Sequence, residues 1–217
     1  MTFAPLFRAF RTKRVVAGTL LLMSLTAAAP QSVVEAERAF AADAQTGGQW
    51  TAFRKWAAPE AVLFVPKPVN AHEWLNGKAN PQLGYQWWPA KAFLSCDGNA
   101  AVTTGPSVLG PNRGYFTTVW TKQPDGAWRW VLDHGDASAR AQPAGETTET
   151  VLAFCRALPA RLRDEGQPGP AIGTSPDRSL VWRWHAYENG ARIIWAELWD
   201  GKQFRTVLEN KVDSPAR

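Results

Sequence analysis

Residues 125–136 read Asp-Gly-Ala-Trp-Arg-Trp-Val-Leu-Asp-His-Gly-Asp. Asp125-Gly126 suits a hairpin turn, and the run after it has the two-residue alternation of a half-buried strand. On strict alternation Trp128, Trp130, Leu132 and His134 share one face, and Arg129, Val131 and Asp133 take the other. The first set is bulky and mostly apolar, so it is expected inside, with His134 at the pocket end and Asp133 pointing away. Asp136 lies past Gly135 and is free to curl back. A contact from it would orient the His134 ring and favour its charged form.

The same period extends upstream. Residues 91–96, 100–108, 113–122 and 127–134 are predicted strands, joined by Asp97-Gly98, a Gly/Pro/Asn stretch and Pro124-Asp125-Gly126. A short apolar strand at 61–65 stops at Pro66, and 67–89 is loop-rich. Two helices come first. Residues 31–46 carry a Ser32/Glu35 capping box and place Val33, Val34, Glu37, Phe40 and Ala41 at helical spacing before Gly47-Gly48. Residues 49–57 place Trp50, Phe53 and Trp56 three apart.

Downstream the pattern weakens. Residues 148–163 hold a candidate helix interrupted at Pro159, and Gln167-Pro168-Gly169-Pro170 is linker-like. Three strands follow at 180–187, 193–199 and 202–208, and this meander does not read as a repeat of the first. About 35 residues are marginal as an independent unit, so the meander is expected to pack on the first unit or on a partner chain. The boundaries are 1–29, 30–137, 138–178 and 179–213. The fold class is α+β: a strongly curved antiparallel sheet on N-terminal helices, with an appended three-stranded β-meander.

The formal charge of +5 would suggest an acidic partner, but it is local. Residues 1–29 hold Arg8, Arg11, Lys13 and Arg14, no acid, and then a short apolar stretch and small residues. This is the order of a signal peptide cleaved near Ala28 or Ala29. Its removal subtracts four charges and leaves about +1, which gives no general attraction to nucleic acid. The apolar stretch is too short to span a bilayer comfortably, so no stable membrane insertion is expected after cleavage. The predicted location is periplasmic or secreted. In that setting the two cysteines, Cys96 and Cys155, suggest one disulfide, the alternative being two separate buried thiols. No histidine pair at ligand spacing accompanies them, so neither a metal nor a cofactor is expected.

The order of elements carries a resemblance. Glu37-Arg38-Ala39-Phe40, Trp87-Trp88-Pro89, Cys96-Asp97-Gly98, Thr103-Thr104-Gly105, Trp120 and Asp125-Gly126-Ala127-Trp128-Arg129, in that order, resemble the nuclear-transport-factor-2-like superfamily. This is the cone fold of SnoaL-like and ketosteroid-isomerase-like proteins, and the nearest likeness is to its exported bacterial branch. It covers about residues 31–137. The resemblance implies a bent sheet around helices, an apolar cavity, and pairing of copies through the sheet's outer face. It implies no single chemistry.

Three functions follow as expectations. One is a binding module taking a small apolar molecule in a cavity lined by Trp87, Trp88, Trp120, Trp128, Trp130 and Leu132. Another is an isomerase, cyclase or dehydratase using His134 with Asp136 or Tyr115. The third is an interaction module in which the Trp-rich C-terminal strands complete a homodimer. Residues 61–65 carry no carboxylate, so an acid–base pair across the cavity finds no support there.

Overall fold

Helix α1 (Val33–Thr46) begins where the capping box predicts: Glu35 N–H donates to Ser32 Oγ, and Ser32 N–H donates to the Glu35 carboxylate. Its buried stripe is Val33, Ala36, Glu37, Phe40 and Ala44, so one carboxylate lies among apolar neighbours. Helix α2 (Gln49–Trp56) follows a Gly48 turn and buries Phe53 and Trp56 against Phe40, with the Phe40 and Phe53 ring centroids 4.9 Å apart. The computed structural model describes residue 1 and residues 32–138, 147–162 and 171–214. The expected leader lies outside those residues beyond Met1.

After the helices come β1 (Ala57–Phe64), β2 (Pro68–Asn70), α3 (Ala71–Leu75), β3 (Gln86–Trp87) and β4 (Lys91–Leu94). The long strands are β5 (Ala100–Leu109), β6 (Asn112–Lys122) and β7 (Trp128–Ala137). The chain ends in β8 (Glu149–Leu152), β9 (Ala171–Thr174), β10 (Leu180–Ala186), β11 (Arg192–Trp199) and β12 (Phe204–Val212). The first sheet runs β2-β1-β7-β6-β5-β4-β8, with β3 beside β4 on the same edge of β5. It is mixed, since β1 pairs with β7, and β4 with β8, in parallel. The second sheet runs β12-β11-β10-β9 and is antiparallel throughout.

Several expectations change. The predicted helix at 148–163 is replaced at its start by β8, whose alternating Thr150, Val151 and Leu152 extend the first sheet at the β4 edge. The C-terminal meander has four strands, because β9 forms within the stretch read as linker. The remainder of that linker at 139–146 and 163–170 lies outside the described residues. Among the described residues no helix is long and apolar enough to cross a membrane.

Two cores lie on opposite faces of the first sheet. The inner one packs Phe40, Phe53, Trp56, Trp87, Phe116, Trp120, Trp128 and Trp130 between helices and sheet. The outer one packs Phe93, Val102, Val119 and Leu132 against Leu180, Ile194, Ala196 and Leu208 of the second sheet. The outer face is therefore covered by the chain's own meander. The Cys96–Cys155 disulfide closes one end of the assembly, linking the β4–β5 turn to the segment after β8. That bond fits an oxidising compartment.

Between β6 and β7 the register slips. Trp120 pairs with Trp130 and Val119 with Leu132, leaving Val131 as a bulge. A bulge inserts one residue and inverts the alternation beyond it. Trp128 and Trp130 face the helices as expected, but Leu132 and His134 turn to the second sheet and Asp133 turns inward. This overturns the strict alternation read across residues 128–134.

Candidate functional site

Between helix α2 and strands β1, β3, β6 and β7 lies a cavity of about 670 Å³. Its apolar wall is built by Trp50 and Phe53 of α2, Leu63 of β1, Trp87 of β3 and Phe116 of β6. Asp133 supplies a carboxyl group to the same wall. The last residue pair between β1 and β7 is Leu63 with Asp133. Past it the β1-side edge of β7 opens, and the cavity continues around Gly135 and Ala137 toward the gap between the sheets.

The polar groups behind this wall form a chain. Glu37 is fully buried, and its carboxylate accepts from Trp87 Nε1 at 2.7 Å, Trp120 Nε1 at 2.8 Å and Thr103 Oγ1 at 2.5 Å. Burial pushes its carboxyl above the ordinary range, against the pull of these donors. The Thr118 hydroxyl lies beside Glu37 and donates to Asp133 Oδ2 at 2.8 Å. Asp133 is pushed up to about 7, first by burial and then by the charge of Glu37, with the Thr118 bond opposing. The cavity thus holds a carboxyl group that gains or loses its proton near neutrality, in an otherwise mostly apolar wall.

The second polar cluster lies between the sheets, and its members Tyr115, His134, Asp136 and Arg192 line the same cavity. His134 is buried, and Arg192 Nε–H donates to its Nδ1 at 3.2 Å. A ring nitrogen that accepts is unprotonated, so the proton of the neutral ring sits on Nε2. Burial, then the Arg192 charge, lowers His134 to about 3, while the nearby Asn210 side chain pulls the other way. Among the described residues no bond of ordinary geometry reaches Nε2. Asp136 meets Arg192 at 3.6 Å rather than His134, and Arg192 also donates to the Gly135 carbonyl at 2.9 Å. Tyr115 stacks edge-on against His134, with centroids 5.5 Å apart, and burial pushes its hydroxyl up to about 12. His134, Asp136 and Tyr115 are therefore neighbours, but Arg192 sits where the expected Asp136–His134 contact would be. Burial first, and then Arg192, keep the imidazole neutral, whereas an Asp136 contact would have favoured its charged form.

The expected lining is redistributed in the same way. Trp87 lines the cavity. Trp120 is fully buried behind it on Glu37, and Trp128 and Trp130 lie in the inner core with indole N–H groups that meet no acceptor among the described residues. Leu132 is in the outer core, and Trp88 is 38 % exposed beside Pro89 in a separate shallow hollow. Sequence reasoning missed Asp133, Glu37, Phe53 and Phe116 as site residues. The one available signal was Glu37 itself, a charge on an apolar helical stripe. Among the described residues no cluster of three or more His, Cys, Asp or Glu side chains is placed to hold a metal.

The chain matches no protein-family profile and no curated protein. Solved structures do resemble it. A ketosteroid-isomerase-like protein of Parabacteroides distasonis is 14% identical, with 50% of this chain and 90% of that one covered at a TM-score of 0.40. A nuclear transport factor 2 (NTF2-like) superfamily protein of Salmonella enterica serovar Typhimurium is 20% identical over 53% of this chain and 94% of that one, at 0.37. A cystatin-like fold protein of Burkholderia xenovorans is 14% identical over 50% and 91%, at 0.36. The neighbours thus include ketosteroid-isomerase-like and NTF2-like proteins, the superfamily whose pattern the sequence resembles. The function must be argued from this chain's own site.

Proposed function

We propose that this is an exported binding protein whose cone cavity takes a small, largely apolar molecule bearing one polar group. One observation carries the reading: a cavity of about 670 Å³ with Trp50, Phe53, Leu63, Trp87 and Phe116 and the Asp133 carboxyl in its wall, lined also by Tyr115, His134, Asp136 and Arg192. Pockets of this size and make-up, apolar with few convergent polar groups, are where small molecules bind. Asp133 offers a hydrogen-bond donor when protonated and an acceptor when ionised. Export is supported by the basic–apolar–small order of residues 1–29 and by the disulfide.

Nile red, a neutral fluorescent probe, tests the cavity. It is expected to bind the full chain, and Ala137→Trp at the exposed rim is expected to weaken it about tenfold, a loss of ~1.4 kcal/mol, without changing the melting temperature. Equal affinity in the variant would remove the cavity as the site. A second reading has one observation in its favour: a carboxyl near 7 suits proton transfer at neutral pH. In that reading Asp133, rather than His134 with Asp136 or Tyr115, moves the proton. It requires Asp133→Asn to abolish turnover while Nile red still binds.

A further inference from the structure

The β4–β5 and β9–β10 turns, one in each sheet, have one design. In the β4–β5 turn, Ser95 Oγ donates to Asp97 Oδ1, Ala100 N–H donates back to Ser95 Oγ, Gly98 N–H donates to the Ser95 carbonyl, and Gly98 has φ of 67°. In the β9–β10 turn, Ser175 Oγ donates to Asp177 Oδ1, Leu180 N–H donates to Ser175 Oγ, Arg178 N–H donates to the Ser175 carbonyl, and Arg178 has φ of 59°. The flanking registers correspond, Leu94 with Ala101 and Thr174 with Val181.

The correspondence runs on to the far strands. Lys122–Trp128, Thr121–Arg129 and Trp120–Trp130 are paired before Val131 bulges, and Val119–Leu132 follows. Trp199–Phe204, Leu198–Arg205 and Glu197–Thr206 are paired before Val207 bulges, and Ala196–Leu208 follows. The bulged strands read Trp-Arg-Trp-Val-Leu-Asp-His from 128 and Phe-Arg-Thr-Val-Leu-Glu-Asn from 204. A meander of four strands with the same turn chemistry and the same bulge is a specific match, whereas a plain antiparallel meander would not be.

The packing adds a symmetry. Asp97 N–H donates to Asp177 Oδ2 at 2.8 Å, a contact between corresponding residues. Cys96 N–H donates to Ser179 Oγ at 2.7 Å beside it. Corresponding outer-face residues, Ala100 and Leu180, Val119 and Ala196, Leu132 and Leu208, share one core. Contacts of a residue with its own counterpart are what a two-fold, isologous interface produces. The faces that differ also make sense. Thr103 and Trp120, which hold Glu37 beneath the helices, correspond to Arg183 and Glu197, which form a 3.0 Å ion pair on the helix-free side.

We infer that residues 171–212 are a second, helix-free copy of the cone's own meander, docked about a pseudo-two-fold axis so that one chain supplies both sides of a dimer-like sheet interface. The partner of the outer face is thus a second copy of this unit, carried within the same chain. The Tyr115–His134–Arg192–Asn210 cluster belongs to that interface, with Arg192 and Asn210 standing where Tyr115 and His134 stand in the first copy.

The symmetry places Asn99 next to Pro176, the mate of the Cys96–Ser179 contact. Both are turn residues away from the cores. In the full chain carrying Asn99→Cys and Pro176→Cys, dibromobimane, a short linker that fluoresces once both thiols have reacted, is expected to bridge the pair. The labelled band should run at the single-chain mass on a denaturing gel. Bridging between two chains would mean that the copy docks in trans, and no bridging in a variant that keeps its wild-type melting temperature would mean that no such axis exists. Either result overturns the inference. If the double variant does not fold, small-angle scattering of the wild-type chain decides. The compact two-sheet particle is expected, and a separated second sheet overturns it.

Discussion

Glu37 shows how much one side chain can organise. Three donors converge on a carboxylate with no access to water; without it Trp87 would be left as a buried orphan N–H group, while Trp120 would keep only its longer 3.1 Å bond to Thr103 Oγ1. A buried donor left unsatisfied costs about 1–3 kcal/mol, and the cavity left by the removed side chain adds to it, for about 3–5 kcal/mol together. Glu37→Ala is therefore expected to lower stability by about that much in urea unfolding, and Glu37→Gln by less, since the amide oxygen still accepts. A loss under about 1 kcal/mol for the alanine variant would show that the network contributes little. The periodicity of residues 33–41 put Glu37 on the buried stripe. Its partners were not legible, because Trp87, Thr103 and Trp120 meet it only after the sheet curves over the helix.

Turns and bulges explain where sequence reading succeeds and where it stops. The β4–β5, β6–β7 and β11–β12 hairpins follow from Asp-Gly pairs, whose glycines take the left-handed backbone at Gly98, Gly126 and Gly201. The bulge at Val131 has no such marker. Valine is an ordinary strand residue, so alternation was carried through it, and Asp133 and His134 exchanged faces. The second copy of the meander was equally hidden, because its identity lies in register and turn hydrogen bonds while its helix-facing residues have changed. Arg178 is the telling case: it holds a left-handed backbone where the first copy has glycine. That conformation costs a non-glycine residue about 1–2 kcal/mol. Arg178→Gly removes that cost but adds glycine's larger entropy loss on folding, so it is expected to raise stability by up to about 1 kcal/mol. An unchanged or lower melting temperature would contradict this.

The assembled chain is a sandwich with a cone on one side. Helices pack on one face of the first sheet, a cavity opens beside helix α2, and the second sheet covers the other face. The fold class, the helices, the central strands and the cysteine pair were legible in the sequence. The site was only half legible: Trp87 was named for the cavity that it lines, but Leu132, His134 and Asp133 were assigned by an alternation that the bulge breaks. The disulfide spans 59 residues and ties both sheets' shared end. Cross-links of this kind contribute about 2–4 kcal/mol. Reduction is expected to lower the melting temperature without abolishing the fold, and full unfolding on reduction at room temperature would mean that the two cores hold less than their burial implies.

Everything claimed for the cavity depends on Asp133 facing into it rather than away. Carbon-13 NMR of the side-chain carboxyl groups against pH, with Asp133→Asn for assignment, tests this directly. One carboxyl is expected to titrate at about 7, to vanish in the variant, and to shift when Nile red binds. A carboxyl at position 133 that titrates near 4, as an exposed aspartate does, and ignores the probe would contradict the inward turn after Val131 and the site built on it.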